Sequence, residues 1–334
     1  MDLFTPVVPE GELHPNFRAL IGNFSPGDRA VLAEWADGFV DRDGKFVTEF
    51  QTTFNSGFWE LYMFACCKEL QFHVNFDFVS PDFVIDNFHN EFCIEAVIAS
   101  NARGDQPEWK RDVKRRPKQP DLEAVLRTAT IRLSNAIHSK RKKYLESYAA
   151  LAHVTGRPFV LAVAPFEQPN FWAHNDHAIR QVLYEYDRVG ADGEHVFRSS
   201  VEKAPGVAIE LGLFAGTKMP EVSAIVYSNT ATMSKLHALS REPDEMMFFA
   251  SLHFNAKGSE PILWKSTKAN YRESLLDGLY VFHNPYATYP LPFRYFNHND
   301  ITQATLLPGQ RVPRYKCRHG HLIQRSSFRV RPRP

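Results

Sequence analysis

The chain has 334 residues, of which 44% are hydrophobic and 23% charged, with a formal net charge of +1. This composition is typical of a globular protein that buries a substantial core in one large domain or two. No run of about 18 apolar residues predicts a transmembrane helix. The first residues lack the basic and apolar regions of a signal peptide, and the four scattered cysteines indicate no disulfide framework. We therefore expect a cytoplasmic protein without a membrane partner.

The first 55 residues predict an N-terminal arm with one short helix. Residues 1–27 contain four prolines and are expected to be irregular. From Pro26 to Phe39 the sequence predicts a helix, with Ser25 as its N-cap.

Residues 56–70, SGFWELYMFACCKEL, predict a mostly buried helix. Glu60 lies on the same stripe as Phe64 and Cys67 and should therefore face inward, which is unusual for a glutamate. Two interpretations stay open. Glu60 is either part of a site or a glutamate at a helix start, favoured by the helix dipole and paired with a basic neighbour.

Residues 72–100 predict two buried strands with a carboxylate on each. Asp82 precedes the apolar run 83–85, and Glu95 closes the run 92–94. Turn formers at 86–90 join the two runs, so an antiparallel hairpin would bring Asp82 and Glu95 together at one end. Two neighbouring, partly buried carboxylates repel each other, and a hard cation such as Mg²⁺ relieves that repulsion.

Residues 101–120 form a polar, basic segment that follows the strand of Glu95. It is either a solvated loop or a segment that grips phosphates near the carboxylates. Its basic residues are Arg103, Lys110, Arg111, Lys114, Arg115, Arg116 and Lys118.

A long amphipathic helix is predicted from Asp121 to about Leu151, because apolar residues recur at steps of three and four. Lys140 lies on the inward stripe, one turn before Tyr144. A buried lysine needs an anionic partner, unless its ammonium group reaches solvent from the edge of the stripe. The full stripe is Leu122, Leu126, Ala129, Leu133, Ile137, Lys140, Tyr144 and Tyr148.

An apolar strand at 158–165 completes the order helix, three strands, helix, strand. With Pro81-Asp82 followed by Glu95-Ala96-Val97, residues 56–166 resemble the PD-(D/E)XK nuclease superfamily. The resemblance implies an α/β fold with a restriction-endonuclease-like core, in which helices flank a central mixed sheet. It also implies that Asp82, Glu95 and the backbone carbonyl of Ala96 hold Mg²⁺ or Mn²⁺, with Glu60 as a further ligand.

The sequence departs from the family pattern at Val97, which stands where the family has a lysine. Some branches of the superfamily supply this cation from the following helix. Lys140 is our first candidate for the displaced lysine and Lys143 the second. A related branch carries Gln-x-x-x-Tyr here, and Lys140 to Tyr144 is similar in spacing, which makes Tyr144 a secondary site residue.

We expect three regions: an arm at 1–55, a nuclease-like core at 56–190 and a C-terminal extension at 191–334. A strand at 222–228 should join the core sheet. Residues 311–334 hold eight Lys or Arg and no Asp or Glu, so this tail either contacts phosphates or is a disordered terminus.

The resemblance implies a metal-dependent endonuclease that hydrolyses DNA, with RNA the less favoured substrate, in restriction, repair or antiphage defence. The alternative is a catalytically inactive nuclease fold that binds nucleic acid or protein. A homodimer and membership of a multi-protein defence system both stay open. The expected nucleic-acid contacts are Lys114, Arg115, Arg116, Arg141 and Lys143.

Overall fold

The structure is a computed structural model that describes residues 1–87, 90–110 and 121–330. The α-helices of the described residues are α1 (Pro15–Asn23), α2 (Pro26–Ala36), α3 (Phe46–Thr52), α4 (Asn55–Glu69), α5 (Leu122–Lys143), α6 (His177–Tyr184) and α7 (Met233–Leu239). Their strands are β1 (Val74–Asn75), β2 (Phe83–Asn87), β3 (Asn90–Ser100), β4 (Phe159–Phe166), β5 (Tyr186–Val189), β6 (His195–Phe197), β7 (Ser200–Ala204), β8 (Val207–Glu210), β9 (Ala224–Tyr227), β10 (Met247–His253), β11 (Ile262–Thr267), β12 (Leu279–His283), β13 (Ile301–Thr305), β14 (Arg314–Lys316) and β15 (Leu322–Arg329). None of these helices is long and apolar enough to cross a membrane.

A mixed central sheet organises the fold, with strands in the order β1-β2-β3-β4-β9-β12-β13-β14. Strands β2 and β3 form an antiparallel hairpin, whereas β3, β4 and β9 run parallel to one another. Every residue of β4 is buried, as expected for a strand with neighbours on both sides and cover on both faces. The α/β class and the central mixed sheet flanked by helices are therefore confirmed, and the elements from α4 to β4 follow the order helix, three strands, helix, strand.

Helices cover both faces of the sheet. The N-terminal helices and α4 pack on the face that carries Phe83 and Ile94, and α5 and α6 pack on the face that carries Val84 and Cys93. Glu95 continues the second set, because side chains alternate along a strand, and so it points toward α5.

The central part of the predicted apolar stripe of α5 is confirmed, because four of its members are buried: Leu126, Ala129, Leu133 and Ile137. Asp121 caps the helix by accepting hydrogen bonds from the backbone N–H groups of Glu123 and Ala124. Leu122 was wrongly placed on the stripe. It is the first residue of the helix and is 60% exposed.

The predicted single helix from Asp121 to Leu151 is a shorter α-helix followed by a π turn. Helix α5 ends at Lys143, and residues Tyr144–Tyr148 form the π turn, closed by a bond from the N–H of Ala149 to the carbonyl of Tyr144. Such wide turns change which side chains face the core, and they are frequent at functional sites.

The N-terminal arm is more ordered than the sequence predicts. Ser25 caps α2 in a reciprocal capping box with Asp28, as expected. The supposedly irregular arm contains α1, which buries Phe17 and Leu20, and α3 follows α2 without having been predicted. Burial in tertiary contacts outweighs the prolines, one of which starts α1 at a position that tolerates it.

The C-terminal region joins the central sheet, as expected. Strand β9 pairs with β4, and β12, β13 and β14 extend the sheet beyond it. Strands β11, β10 and β15 form a separate three-stranded sheet.

The expectation of a disordered terminus is wrong for the described part of the basic tail, because residues 314–316 and 322–329 form β14 and β15. Three of its arginines pair with carboxylates of the protein. Arg318 binds Asp277 and Asp300, Arg325 binds Glu273, and Arg329 binds Asp244. The exposed Arg314 and Lys316 bind the amide groups of Gln310 and Asn297, so contact of the tail with phosphates stays a prediction.

Candidate active site

The hairpin of β2 and β3 brings Asp82 and Glu95 together. Pairing of Phe83 with Ile94 places Asp82 opposite Glu95 at the open end of the hairpin. Asp82 Oδ2 accepts a hydrogen bond of 2.7 Å from the backbone N–H of Ala96. The carboxylate of Asp82 therefore accepts a backbone hydrogen bond from β3 just beyond the last residue pair of β2 and β3. This juxtaposition was predicted from the sequence and is confirmed.

The turn of the hairpin is tighter than the five residues predicted. Asp86 pairs with Glu91 and Asn87 with Asn90, so these residues belong to the strands. Residues 88–89, the remainder of the predicted turn, lie outside the described residues. Turn-forming residue types placed the turn correctly but overstated its length.

Glu95 is the most buried carboxylate of the site, with 0% exposure. Its Oε1 atom accepts hydrogen bonds from Lys140 Nζ at 2.6 Å, Lys143 Nζ at 3.1 Å and the Tyr148 hydroxyl at 3.2 Å. Its Oε2 atom is buried and has no hydrogen-bond partner within the described ranges. A buried carboxylate oxygen without a partner is costly, so this atom is the one best placed to receive a cation or a donor.

The two predicted lysines both reach Glu95, but they differ in exposure. The side chain of Lys140 is 22% exposed, and that of Lys143 is 50% exposed. Charge interactions strengthen as water is excluded, so the pair between Lys140 and Glu95 is the stronger one.

Tyr144 and Tyr148, the two tyrosines that follow α5, have different surroundings. The ring of Tyr144 packs on the ring of Phe159 with centroids 4.3 Å apart, which puts it in the core. The hydroxyl that binds Glu95 belongs to Tyr148, at the end of the π turn. Sequence analysis missed this role, although the position of Tyr148 on the inward stripe was a signal for it.

Burial and like charge perturb two carboxyl groups beside Glu95. Burial raises the pKa of the Glu60 carboxyl to about 8, and the charge of Asp82 adds to the shift. Burial also raises the pKa of Asp82 to about 6, and the negative charge of Glu95 contributes to this rise. Both carboxyl groups therefore exchange protons near neutral pH, a property common at functional sites.

Arg42 was missed as a member of the site. Its Nη1 donates hydrogen bonds to the carbonyls of Phe78 at 2.7 Å and Pro81 at 3.3 Å. Its positive charge acts against the rise in the pKa of both Glu60 and Asp82. In the sequence Arg42 belongs to a turn, and nothing local predicts a contact some 40 residues away.

An open pocket of about 160 Å³ lies at the candidate active site. It contains the side chains of Glu60, Asp82 and Lys140, and the strand edge from Ala96 to Ile98 forms one wall. Val97 lines the pocket with an apolar side chain at the position of the family's lysine, and Lys140 enters the same space from α5. The remaining lining residues are Phe46, Glu49, Phe50, Ser56, Gly57 and Trp59.

The donor chemistry of the pocket fits a hard cation. Carboxylate and carbonyl oxygens are the ligands that Mg²⁺ prefers. The N–H of Ala96 points at Asp82, and in an antiparallel ladder the carbonyl of the same residue points the same way. The described residues contain no ready-made group of three His, Cys, Asp or Glu that could hold a metal ion. A cation at this place would therefore rely on the free oxygen of Glu95 and on backbone or water oxygens as well as on Asp82.

Two of the residues predicted to contact nucleic acid form ion pairs within the protein. Lys143 pairs with Glu95, and Arg141 pairs with Glu221. Lys114, Arg115 and Arg116 lie outside the described residues. The guanidinium of Arg141 is therefore engaged with a carboxylate of the protein itself.

The raised pKa of Glu60 predicts a pH-dependent stability. Between about pH 4.5 and about pH 8 the folded protein holds more protons at Glu60 than the unfolded chain does. The free energy of unfolding of metal-free protein should therefore fall as the pH rises through this window, by at most about 1.4 kcal/mol per pH unit for one group. Glu60→Gln should flatten this part of the profile in urea denaturation with EDTA, whereas Glu69→Gln, on an exposed glutamate of the same helix, should not. An unchanged slope in Glu60→Gln would contradict the raised pKa.

Comparison of the chain with family models, with curated proteins and with solved structures gave no match.

Proposed function

We propose that the protein is a Mg²⁺- or Mn²⁺-dependent endonuclease that hydrolyses DNA phosphodiester bonds. The observation that carries this proposal is the pair of neighbouring carboxylates Asp82 and Glu95. Lys140 Nζ lies 2.6 Å from Glu95 Oε1, and both Asp82 and Lys140 line an open pocket. Acidic oxygens for a cation and an ammonium group beside them are the parts that phosphodiester hydrolysis requires.

In this proposal Asp82, the free Oε2 of Glu95 and the carbonyl of Ala96 would hold the cation, with water oxygens as the remaining ligands. Glu60 lines the same pocket, and its part would be that of a neighbouring carboxyl group. The bound cation would polarise a phosphoryl oxygen and lower the pKa of a water molecule. Lys140 would orient the attacking water and stabilise negative charge on the phosphate, because Lys140 lines the pocket and its ammonium group lies beside Glu95.

DNA is preferred over RNA as the substrate on the strength of the family resemblance alone. The core that the resemblance implies extends over α4 to β4, and a nuclease with this core would serve in restriction, repair or antiphage defence. Residues of the basic segment at 101–120 would hold the backbone of the nucleic acid.

One observation favours the second candidate, a catalytically inactive nuclease fold that binds nucleic acid or protein. Lys140, Lys143 and Tyr148 together satisfy Glu95 Oε1 without a cation. A cluster of this kind holds its own charge balance and could persist as a structural ion pair.

Cleavage and metal binding separate the two candidates. The endonuclease should nick supercoiled plasmid or cut single-stranded DNA with Mg²⁺ or Mn²⁺, and Asp82→Ala and Glu95→Ala should lose this activity together with Mn²⁺ binding in calorimetric titration. Asp86→Ala, at the other end of the same hairpin, is the matched control and should keep both. A wild-type protein that neither binds Mn²⁺ nor cuts, yet binds DNA equally well with and without the Asp82 carboxylate, would favour the binding module.

A further inference from the structure

A second cavity, of about 250 Å³, lies beside the candidate active site across the start of α4. Phe54, Asn55 and Phe58 face this cavity, whereas Ser56 and Glu60 face the active-site pocket. The two spaces are therefore separated by one helix, whose width with side chains is about 10–12 Å. Segments that follow the parallel strands β4 and β9 close the cavity, and ligands of α/β proteins bind at such carboxyl ends of strands.

The walls of this cavity are aromatic. Trp109, Phe171 and Trp172 line it, and both indole rings are only partly buried. Two accessible tryptophans at one cavity provide flat faces for a planar ring, and stacking on such faces accepts any aromatic heterocycle.

The polar groups of the cavity are a carboxylate and a guanidinium. Glu108 is 7% exposed, and its Oε1 accepts hydrogen bonds from Asn55 Nδ2 at 2.6 Å and from Asn16 Nδ2 at 3.0 Å. Arg325 also lines the cavity. Its side chain is fully buried, and its Nε atom has no hydrogen-bond partner within the described parts of the chain. A ligand with a hydrogen-bond acceptor could serve the Nε atom of Arg325, which a purely apolar ligand could not do.

We propose that this cavity binds a nucleobase that has left the base stack. A nucleobase is planar and carries hydrogen-bond acceptors, which matches the aromatic walls and the unpartnered Nε atom of Arg325. The volume is below the about 300–1,000 Å³ of pockets for larger ligands, so the cavity suits a single ring system with its sugar and phosphate outside.

The link to cleavage rests on the proposed function. The cavity and the active-site pocket lie on either side of one helix, so a strand whose base occupies the cavity could lay its backbone at the active-site pocket a few nucleotides away. A nuclease built in this way acts on single-stranded DNA or on a nucleotide extruded from a duplex, because a paired and stacked base cannot enter the cavity.

Binding in EDTA tests the cavity separately from cleavage. We expect a labelled short single-stranded DNA, followed by fluorescence anisotropy, to bind wild type more tightly than the same strand made abasic. Trp109→Ala and Trp172→Ala should each weaken binding of the base-bearing strand about 10- to 100-fold and leave the abasic strand unaffected. Trp109→Phe keeps an aromatic face and should bind nearly as wild type does. Trp264→Ala removes an exposed tryptophan outside the cavity and should change nothing.

Equal binding of the base-bearing and abasic strands by wild type would overturn the inference without any variant being needed. So would tryptophan variants that keep the wild-type melting temperature and bind as wild type does. Because EDTA removes the cation, base-dependent binding by a protein that never cuts would support the cavity and count against the endonuclease. Cleavage without base-dependent binding would support the endonuclease and count against the cavity as a base-binding site.

Discussion

Lys140→Ala should lower the rate of DNA cleavage about 100- to 1,000-fold, the loss typical of removing one charged group that stabilises a transition state. Lys140 is the better buried of the two lysines on Glu95 and is the one that lines the pocket. Lys143→Ala should cost about 10-fold or less, since its side chain is half exposed and its charge is screened. Steady-state cleavage of plasmid DNA in Mg²⁺ measures both.

Lys142→Ala is the matched control for these variants. Lys142 lies between the two lysines in sequence but pairs with Glu146 on the exposed side of the helix, so its loss should leave the rate unchanged. If Lys143→Ala cost more than Lys140→Ala, the role of the displaced lysine would pass to Lys143. If Lys140→Ala and Lys143→Ala both cut at the wild-type rate, neither lysine would take part in the mechanism.

Glu273→Ala should lower the free energy of unfolding by about 3–5 kcal/mol, because it leaves two buried cations without their carboxylate. Lys235 Nζ lies 2.7 Å from Glu273 Oε1, Arg325 binds the same atom, and the three side chains are at most 1% exposed. Urea denaturation measures the loss. Glu245→Ala, on an exposed glutamate, should stay within about 0.5 kcal/mol of wild type. A loss below about 1 kcal/mol for Glu273→Ala would mean that water or another anion reaches the two cations.

The same cluster predicts a sensitivity to acid. Burial alone would raise the pKa of Glu273, but the charges of Arg325 and Lys235 outweigh it, and the pKa is lowered. The ionised carboxylate therefore contributes stability that is present above its unfolded pKa and is lost as the pH falls through the lower, folded value. Glu273→Ala should accordingly lose less stability than wild type does in the acid range.

The parts of the molecule that the sequence predicted well follow local periodicity. The steps of three and four in α5 placed Lys140 on the buried side, and the two apolar runs with turn formers between them set Asp82 opposite Glu95. The strand predicted at 222–228 is confirmed as β9, Ala224–Tyr227, because its short length and its β-branched residues favour a strand over a buried helix segment.

The parts that were missed depend on contacts between distant segments. Arg42 reaches the site from a turn, and Tyr148, which bonds Glu95, lies in a π turn that was not predicted. No pattern within a window of residues distinguishes a π turn from the end of a helix. The arginines of the tail were expected to face phosphates or solvent, and Arg325 is instead neutralised by Glu273, about 50 residues away in the sequence. Tertiary pairing of charges of this kind has no sequence period.

The place of β9 in the central sheet decides how the chain can be shortened for experiments. Strand β9 comes from the C-terminal region, yet it lies directly between β4 and β12. A fragment that stops near residue 190, the end of the predicted core, would leave β4 as an open edge. All eight residues of β4 are buried in the whole protein, and an apolar edge strand pairs readily with other chains. We expect such a fragment to be recovered as aggregates, so expression trials should retain the chain through β15.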